Sequence, residues 1–444
     1  RRGRPLERSV GGVAVSLPAR CFFDDPVQVT VTGLRSKQLV TMKARSTDDK
    51  GVMFSSSATY RADGSGEIHL DRDPSLSGSY VGVEPMGLLW SMKADTLHKR
   101  LHEKNPLIPY VVKFSVHEEE EGSMLAEVIN ERFLLPFYFE MAFSHVLIGF
   151  LLLYFVLCSS FSFLLISLSS SVPVFCLPNQ FQCLDRRGPF PAVLDLSSSR
   201  SERRACLLAN KGFVVLSITL YNDKPANLKE IHLDYLEEAV DFLKQHSKVG
   251  SEGIGVLSRS KGSDIALSLA AFVPGIKAVV WINGCNANVA LPLSYKKRQI
   301  LPPLLLNLTK LIPTQSGALN GKYVLDNPLA EENKDTLIPI ERAKGHFLFV
   351  ASEDDINWDS KAYMDDMVER LRRHGKENFE SVSYPGAGHL LEPPYGPHCY
   401  SCSHITISKP VVWGGEARAH AAAEVHLWKK IQEFFRTHLS CDLL

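Results

Sequence analysis

The clearest indication of the fold is the sequence Ile254-Gly255-Val256-Leu257-Ser258-Arg259-Ser260-Lys261-Gly262. It opens with an apolar run typical of a buried strand, and a helical pattern follows it through Ala266 and Leu269. A serine, Ser260, lies at the centre of the predicted turn between the two elements. Strand, sharp turn and helix in this order form a nucleophile elbow, in which the turn lifts the serine hydroxyl clear of the sheet.

The residues around Ser260 match the elbow pattern only in part. The usual pattern is Gly-x-Ser-x-Gly; Ser258 replaces the first glycine, whereas Gly262 is retained. Serine is also common where a strand turns into a helix, so an alternative interpretation is a serine that only caps the helix N-terminus. Other residues in the chain must therefore decide between a nucleophile elbow and a capping serine.

Two later strand ends supply the other groups of a catalytic triad. The strand pattern at 347–350 ends at Glu353-Asp354-Asp355, and a glycine-flanked loop after another strand carries His389. Serine, acid and histidine in this order are typical of α/β-hydrolases, and each follows a strand where open parallel sheets bind ligands. Taken alone, His389 would be an ordinary loop histidine. Together the three positions predict that His389 takes the proton of Ser260 while the acid orients the imidazole.

Strands and helices alternate from residue 188 onward. Apolar runs typical of buried strands recur at 192–196, 213–217, 254–257, 278–282 and 347–350. Apolar residues at helical spacing predict a helix over 233–244 and a closing helix over 421–439, whose expected apolar face comprises Val425, Trp428, Ile431 and Phe435. This alternation predicts an α/β domain at 188–441, built on a buried, mostly parallel sheet.

Residues 16–135 follow a different pattern. Short strand-like runs recur at 27–31, 39–44, 58–62, 110–116 and 125–129, with Asp- and Gly-containing turns between several of them. Short strands at this spacing predict a small antiparallel sandwich. No nucleophile constellation lies in it, so we expect this domain to be structural or to shape the substrate site.

The amino-acid composition excludes several classes of protein. The 444 residues include 49 basic and 49 acidic side chains, and 45% of the residues are hydrophobic. This length suggests two domains, possibly three. The balanced charge argues against a nucleic-acid binder, which would need a basic surplus to offset the phosphates. The composition also excludes a disordered or collagen-like chain.

Nine cysteines, an odd number spread along the chain, fit free thiols in a reducing compartment better than a disulfide framework. Cys399-x-x-Cys402, flanked by His398 and His404, superficially suggests zinc, but no second pair of cysteines is nearby. We therefore expect no metal and no cofactor. The expected location is the cytosol, with mitochondria and peroxisomes as alternatives.

Residues 141–168 contain no Asp, Glu, Lys or Arg. The stretch is longer than the roughly 20 residues that a helix needs to cross a bilayer. One interpretation is thus a transmembrane helix, which would give a membrane location. The other, which we favour, is a segment foreign to the fold, for instance translated non-coding sequence, within a junction at 136–187 between the two domains.

The chain resembles the type I acyl-CoA thioesterases and their relative, bile acid-CoA:amino acid N-acyltransferase. The resemblance covers nearly the whole chain and is carried by several motifs: Tyr60-Arg61-Ala62-Asp63, Val83 to Trp90, Ser260-Lys261-Gly262, Trp281-Ile282-Asn283-Gly284, Asp354-Asp355 with Asn357-Trp358, Tyr384 to His389, Glu392 to Tyr395 and Trp413 to Glu416. It implies an N-terminal immunoglobulin-like sandwich followed by an α/β-hydrolase domain, which agrees with the division predicted above.

The resemblance also implies site residues and an activity. It makes Ser260 the nucleophile, His389 the base and Asp355 the acid, with Asp354 in reserve. The N-acyltransferase normally has a cysteine where this chain has Ser260, so this position resembles the hydrolases. The implied activity is hydrolysis of fatty acyl-CoA to fatty acid and coenzyme A. Acyl transfer to glycine or taurine, and a catalytically impaired, membrane-tethered relative, are the alternatives.

One departure from the family concerns the oxyanion hole. The backbone N–H of Lys261 is expected to donate to the oxyanion. In the family, a glycine-rich loop after the strand predicted here at 192–196 helps to form the oxyanion hole. Residues 197–204 of this chain contain no glycine. The second donor is therefore left open.

The expected partner is the acyl-CoA substrate itself. The basic triplet Lys296-Lys297-Arg298 is a candidate contact for the phosphates of coenzyme A, although such triplets are more often solvated turns. No nucleic-acid partner is expected.

Overall fold

The computed structural model describes residues 12–102, 105–118, 122–135, 189–198, 202–220, 228–404, 407 and 409–441 with their side chains. It describes only the backbone of 7–9, 144–148, 151–158, 161–166 and 174–176. The elbow, the acidic strand end and the His389 loop all fall within the ranges that include side chains.

The N-terminal residues form two largely antiparallel sheets. The elements are β1 (Glu7–Ser9), β2 (Ala14–Ser16), β3 (Arg20–Phe22), β4 (Thr30–Thr32), β5 (Leu39–Thr47), β6 (Met53–Arg61), β7 (Ile68–His69), β8 (Ser77–Gly78), α1 (Gly87–Trp90), β9 (Lys93–Ala94), β10 (Tyr110–His117) and β11 (Met124–Phe133). One sheet has the order β1-β11-β10-β5-β6-β8, with β3 beside β11 and β9 beside β6; the other has the order β2-β4-β7. The immunoglobulin-like topology and the domain boundaries stay predictions.

The apolar stretch 141–168 is not helical where it is described. Its described parts are the strands β12 (Ser144–Ile148), β13 (Leu151–Cys158) and β14 (Phe161–Ile166), paired antiparallel in that order. The rest of the stretch lies outside the described residues. In the part of the chain that the structure describes, no helix combines the length and apolar character needed to cross a bilayer. The transmembrane-helix interpretation is therefore not supported: length and the absence of charged residues suggested it, although aromatic and β-branched residues favour strands.

The C-terminal part alternates strands and helices. Its elements are β15 (Val174–Cys176), β16 (Phe190–Ser197), α2 (Arg203–Asn210), β17 (Val214–Thr219), β18 (Ile231–His232), α3 (Leu233–Gln245), β19 (Val249–Arg259), α4 (Lys261–Phe272), β20 (Ile276–Ile282), β21 (Leu293–Tyr295), β22 (Arg298–Leu301), β23 (Ile312–Pro313), β24 (Leu319–Asn320), β25 (His346–Ser352), α5 (Ser360–Arg373), β26 (Phe379–Tyr384), β27 (Ser401–Ser403), β28 (Pro410–Val412) and α6 (Ala417–His438). Short 3₁₀ helices lie at Leu308–Lys310, Glu331–Thr336 and Ile340–Arg342.

The main C-terminal sheet has the order β15-β17-β16-β19-β20-β25-β26 among the described strands. Its neighbours pair in parallel, except that β15 runs antiparallel to β17. Two smaller sheets, β18-β21-β22 and β23-β24-β28-β27, accompany it. The predicted α/β-hydrolase fold is confirmed.

Both faces of this sheet are buried. On β20, Val280 and Ile282 belong to a core shared with α2 and α6, whereas Val279 and Trp281 belong to a core shared with α3, α4 and α5. Successive strand residues point to opposite faces, so a sheet covered on both sides needs apolar residues at every position. This is why its strands are continuous apolar runs in the sequence.

The N-terminal sheets pack on the face that carries α6. Their apolar residues and those of α2 and α6 form one continuous core. Polar contacts reinforce the joint: the indole Nε1 of Trp428 donates to Asp24 Oδ2 at 2.8 Å, and Lys211 Nζ lies 2.8 Å from the same carboxylate oxygen. The amide of Asn210 donates to the carbonyl of Leu134 at 2.8 Å.

The closing helix α6 differs from its predicted face at one position. Trp428, Ile431 and Phe435 are buried as expected, but Val425 is 43% exposed. The buried apolar face of α6 also includes Leu427. The centre of this face therefore lies about a third of a helical turn away from Val425. The prediction for Val425 is therefore wrong.

Candidate active site

Ser260 occupies the sharp turn between β19 and α4. Its backbone has φ +56° and ψ −131°, a combination rare for residues with a side chain and costing about 1–3 kcal/mol. Two hydrogen bonds hold the turn: the Ser260 N–H donates to the carbonyl of Ile282 at 2.9 Å, and the Ser263 N–H donates to the carbonyl of Ser260 at 2.9 Å. The structure thus places the serine in a strained strand–turn–helix unit.

The two flanking positions explain how an imperfect elbow pattern still forms the turn. A Cβ at Gly262 would lie 2.7 Å from the carbonyl oxygen of Leu196, so only glycine lets α4 approach the end of β16 this closely. Ser258 is tolerated in the other position because its buried hydroxyl donates to the carbonyl of Val280 at 2.8 Å. The retained glycine is the one that the packing requires.

His389 and Asp355 form a buried pair. The imidazole Nδ1 lies 2.7 Å from Asp355 Oδ2, and both residues are almost fully buried. Three further donors orient the carboxylate: the N–H groups of Asn357 and Trp358 donate to Oδ1 at 2.8 and 3.0 Å, and the hydroxyl of Ser360 donates to Oδ2 at 2.6 Å. A carboxylate held by four donors has a single orientation toward the imidazole.

Asp354, the reserve candidate, is engaged elsewhere. Its Oδ2 accepts the N–H of Gly415 at 3.1 Å, and its own N–H donates to the carbonyl of Ala387 at 3.0 Å. Within the described contacts it has none with His389. Of the two neighbouring acids, the structure brings Asp355 to the imidazole.

The partners of His389 fix the tautomer of its neutral ring. A carboxylate only accepts, so the nitrogen facing Asp355, Nδ1, carries the hydrogen. The other nitrogen, Nε2, lies 3.4 Å from the amide Nδ2 of Asn357, which is a donor. Nε2 is therefore the unprotonated nitrogen, the form that can accept a proton from a serine hydroxyl.

Asn283 holds the histidine loop in place, a role that sequence reasoning missed. Its buried amide Nδ2 lies 2.9 Å from the carbonyl oxygen of His389, 3.3 Å from that of Gly388 and 2.9 Å from the hydroxyl of Ser352, while its Oδ1 accepts the Ser352 N–H at 2.8 Å. Asn283 also has a positive φ of 47°. Its position directly after a predicted strand was the available signal.

Ring packing fixes the imidazole further. Trp413 stacks on His389 with ring centroids 5.3 Å apart, and Trp358 meets it edge-on at 6.0 Å. The His389 N–H donates to the carbonyl of Trp413 at 2.8 Å. The neighbouring Gly388 N–H donates to the ring Nδ1 of His420 at 3.0 Å. These contacts leave the imidazole little freedom to rotate.

A cavity of about 820 Å³ is lined by three of the predicted site residues, Ser260, Lys261 and His389; Asp355 is not among its lining residues. Among the described residues, the Ser260 hydroxyl has no hydrogen-bond partner, so the structure brings Ser260 into the cavity of His389 without joining the two by a hydrogen bond. Such bonds are often long or absent in unliganded sites and tighten when substrate binds.

Backbone donors occur at two places around the cavity that Ser260 lines. Lys261 and Gly262 begin α4, and their N–H groups have no acceptor within the described residues, as is usual in the first turn of a helix. Ser198 follows β16 and lines the same cavity. Its N–H also has no described acceptor, and its buried hydroxyl has no partner in the described structure. Sequence analysis left this second donor open.

A buried ionic network lies beside the elbow. The guanidinium groups of Arg259 and Arg100 both contact Glu392 Oε1, and Arg259 also donates to the carbonyl of Leu391 at 3.0 Å. Burial alone would raise the pKa of Glu392, but the charges of Arg259 and Arg100 outweigh it and lower the pKa to about 2. Glu392 is thus ionised at every working pH and links the elbow to the N-terminal part of the chain.

Two weaker sequence candidates lie apart from this chemistry. Lys296 and Lys297 form the turn between β21 and β22 and do not line the cavity; the Lys296 N–H donates to Asp234 at 3.1 Å. Cys402 does line the cavity, but its sulfur accepts the indole N–H of Trp413 at 3.1 Å. Over the described ranges, no group of three or more His, Cys, Asp or Glu side chains is arranged to hold a metal ion.

Two family models match separate parts of the chain. The model of the acyl-CoA thioester hydrolase/BAAT N-terminal region matches residues 24–139, and that of the BAAT/acyl-CoA thioester hydrolase C terminal matches residues 231–441. Acyl-coenzyme A thioesterase 1 of Homo sapiens is 38% identical over 428 residues, which cover 95% of this chain and 95% of the relative. The chain belongs to the acyl-CoA thioester hydrolase family. The family resemblance seen in the motifs is confirmed.

A second relative is also similar over nearly the whole chain. The mitochondrial acyl-coenzyme A thioesterase 2 of Homo sapiens is 37% identical over 98% of this chain and 88% of its own length. Among solved structures, a puromycin-hydrolysing peptidase of Mycobacterium tuberculosis is similar at 12% identity with a TM-score of 0.42, covering 99% of this chain and 70% of the peptidase. That likeness is too slight to support any argument about chemistry.

The two neighbouring acids of this acyl-CoA thioester hydrolase family member allow a matched test. We predict that Asp355→Asn lowers kcat for a fatty acyl-CoA by about 10⁴-fold, because the amide would favour the wrong imidazole tautomer. Asp354→Asn should leave kcat within about threefold, since an amide oxygen can still accept the Gly415 N–H. Steady-state thioester hydrolysis measures both. Equal losses in the two variants, or a loss only in Asp354→Asn, would contradict the assignment.

Proposed function

We propose that this chain hydrolyses fatty acyl-CoA to a fatty acid and coenzyme A, with Ser260 as nucleophile, His389 as base and Asp355 as the orienting acid. The observation that carries the proposal is the 2.7 Å contact between His389 Nδ1 and Asp355 Oδ2. It leaves the unprotonated Nε2 as an acceptor in the cavity that also contains Ser260. The 38% identity to human acyl-coenzyme A thioesterase 1 supports the substrate class.

The first half of the reaction transfers the acyl group to the enzyme. Ser260 Oγ attacks the thioester carbon while its proton passes to His389 Nε2, and Asp355 stabilises the imidazolium that forms. The C–S bond then breaks, and coenzyme A leaves as a thiol after taking the proton from His389. A thiolate is a good leaving group, so the enzyme needs mainly to supply the nucleophile and stabilise the oxyanion.

The second half returns the serine. A water molecule attacks the acyl-Ser260 ester, His389 accepts a proton from this water, and the ester C–O bond breaks. The proton passes to Ser260 Oγ, and the fatty acid is released. Because the intermediate is an ester on serine, water can resolve it without a second substrate.

The apolar part of the cavity supports a fatty acyl chain as ligand. Its lining includes aliphatic side chains from the loops that follow β20, β22 and β24 and from β28: Val289, Leu291, Leu306, Leu311, Val324 and Val411. Burial of a methylene group contributes about 0.8 kcal/mol, so such a wall favours long over short chains.

We further propose that two backbone N–H groups form the oxyanion hole. Lys261 contributes the first, at the start of α4, and Ser198 contributes the second, after β16. Supporting this, Gly262 packs against Leu196 and so brings the end of β16 beside the elbow. The chain would then need no glycine in this loop, because a serine N–H donates as well as that of glycine.

For the compartment we propose the cytosol. Within the described chain, none of the six cysteines forms a disulfide, which fits a reducing compartment.

The nucleophile is tested by Ser260→Ala. We expect hydrolysis of palmitoyl-CoA to fall by about 10⁴-fold or more, because no other group would form the acyl intermediate. A fluorophosphonate probe should label the native chain and fail to label Ser260→Ala. Ser383→Ala is the matched control, since this serine lies outside the cavity and its hydroxyl donates to Glu353 at 2.8 Å.

Full turnover by Ser260→Ala would refute the nucleophile assignment. Conversion of acyl-CoA to an N-acyl amino acid when glycine or taurine is added would instead indicate the transferase activity.

The second oxyanion donor is tested by two substitutions at one position. Ser198→Pro removes the N–H and should lower kcat by about 10²-fold. Ser198→Ala removes only the hydroxyl and should lower kcat by less than about fivefold. Thermal melting checks that both variants fold. A larger loss in Ser198→Ala than in Ser198→Pro would assign the role to the hydroxyl, and no loss in either would exclude Ser198.

A further inference from the structure

One wall of the catalytic cavity comes from the N-terminal part of the chain. It is lined by Asp48, Lys50 and Val52 and by residues 98–102. The two segments are joined because the Asp49 N–H donates to the carbonyl of His102 at 3.3 Å. His98 fastens this wall to the C-terminal part: its Nδ1 lies 2.9 Å from the Ser401 hydroxyl. The wall is therefore a fixed part of the cavity.

The cavity is electropositive although the chain as a whole is neutral. The chain has 49 basic and 49 acidic residues. The described cavity lining, by contrast, contains twice as many basic as acidic side chains: Lys50, Lys99, Arg100, Arg203, Arg259 and Lys261 against Asp48, Glu202 and Glu392. A cavity of one dominant sign concentrates ligands of the opposite charge.

Some of these basic groups already have buried counter-ions. Arg100 and Arg259 share the carboxylate of Glu392. Lys261 Nζ lies 2.6 Å from Asp264 Oδ2 in a fully buried pair. These three side chains are held by the protein and are not available as the main partners of a ligand.

Lys50 and Lys99 differ from them. Both side chains belong to exposed residues, and neither ammonium group has a carboxylate within 4 Å among the described residues. Of the acidic residues that line the cavity, Asp48 is the nearest to Lys50 in sequence. It accepts backbone N–H groups: its Oδ1 accepts those of Lys50 and Val52 at 2.9 Å each, and its Oδ2 accepts that of His102 at 3.2 Å. Asp48 therefore shapes the turn that presents Lys50 and does not neutralise its side chain.

Lys99 is connected to the elbow through its neighbour in sequence, Arg100, and the ionic contacts of Glu392. It precedes Arg100, which shares Glu392 with Arg259, the residue directly before Ser260. A ligand whose reacting carbon lies at Ser260 thus extends past this basic wall if it leaves the cavity on the N-terminal side.

We propose that Lys50 and Lys99 bind the phosphate groups of the coenzyme A moiety. The inference rests on the proposed function, which puts the thioester at Ser260. Coenzyme A carries its pyrophosphate and its ribose 3′-phosphate far from the sulfur, so cationic partners are needed at the mouth of the cavity and not beside the nucleophile. Lysine serves as a point charge for phosphate. The N-terminal part of the chain then selects coenzyme A thioesters over other thioesters.

The test compares two substrates with the same acyl group in the Lys50→Ala/Lys99→Ala variant. For decanoyl-CoA, KM should rise about tenfold at low salt while kcat stays within twofold, and the difference should shrink as salt screens the charges. For S-decanoyl-pantetheine, which has no phosphate, both constants should stay within twofold. Lys37→Ala/Lys93→Ala, which removes two exposed lysines outside the cavity, should change neither substrate.

Equal losses on both substrates, or no loss on either, would overturn the phosphate site. Calorimetric titration with coenzyme A alone separates this proposal from the proposed function, because it needs no turnover. The double variant should bind coenzyme A about tenfold more weakly than the native chain, even if the native chain hydrolyses neither thioester. Unchanged affinity for coenzyme A would overturn the inference whatever the activity.

Discussion

The backbone turn at Ser260 is the constraint on which the rest of the structure depends. A positive φ of 56° at a residue with a side chain is unfavourable by about 1–3 kcal/mol, so the surroundings must enforce it. They do so with the hydrogen bond from Ser260 to the next strand at Ile282 and with the close approach of Gly262 to Leu196. The result is a hydroxyl that faces a cavity, next to N–H groups that have no described acceptor.

The other half of the site is held by contacts far apart in sequence. Asn283 fastens the loop that carries His389, and Asp355 fixes the ring from the end of another strand. Glu392 then links the elbow to Arg100 of the N-terminal part. Contacts that position the catalytic residues thus also join the two parts of the chain. The N-terminal sheets therefore contribute to the site without supplying a reacting group.

Local patterns in the sequence were enough to predict the elbow, the chain order of the acid and the histidine, and the parallel sheet, because each depends on a few neighbouring residues or on periodicity. The position of Asn283 after a predicted strand did not by itself define its role, because its partners Gly388 and His389 lie about a hundred residues further along the chain. The cluster of charge at Lys296 and Lys297 suggested a contact for the phosphates of coenzyme A. The cavity is instead lined by Lys50 and Lys99. Hydrophobic length suggested a helix at 141–168, but its described parts pair as strands.

In the proposed mechanism, the acyl group passes through Ser260. Rapid mixing of the chain with palmitoyl-CoA, acid quenching within the first turnover and peptide mass spectrometry measure this most directly. We expect a palmitoyl ester on the peptide that contains Ser260, formed at the rate at which coenzyme A is released. Release of coenzyme A at that rate with no adduct on Ser260, or with the acyl group on another residue such as Cys402, would contradict it.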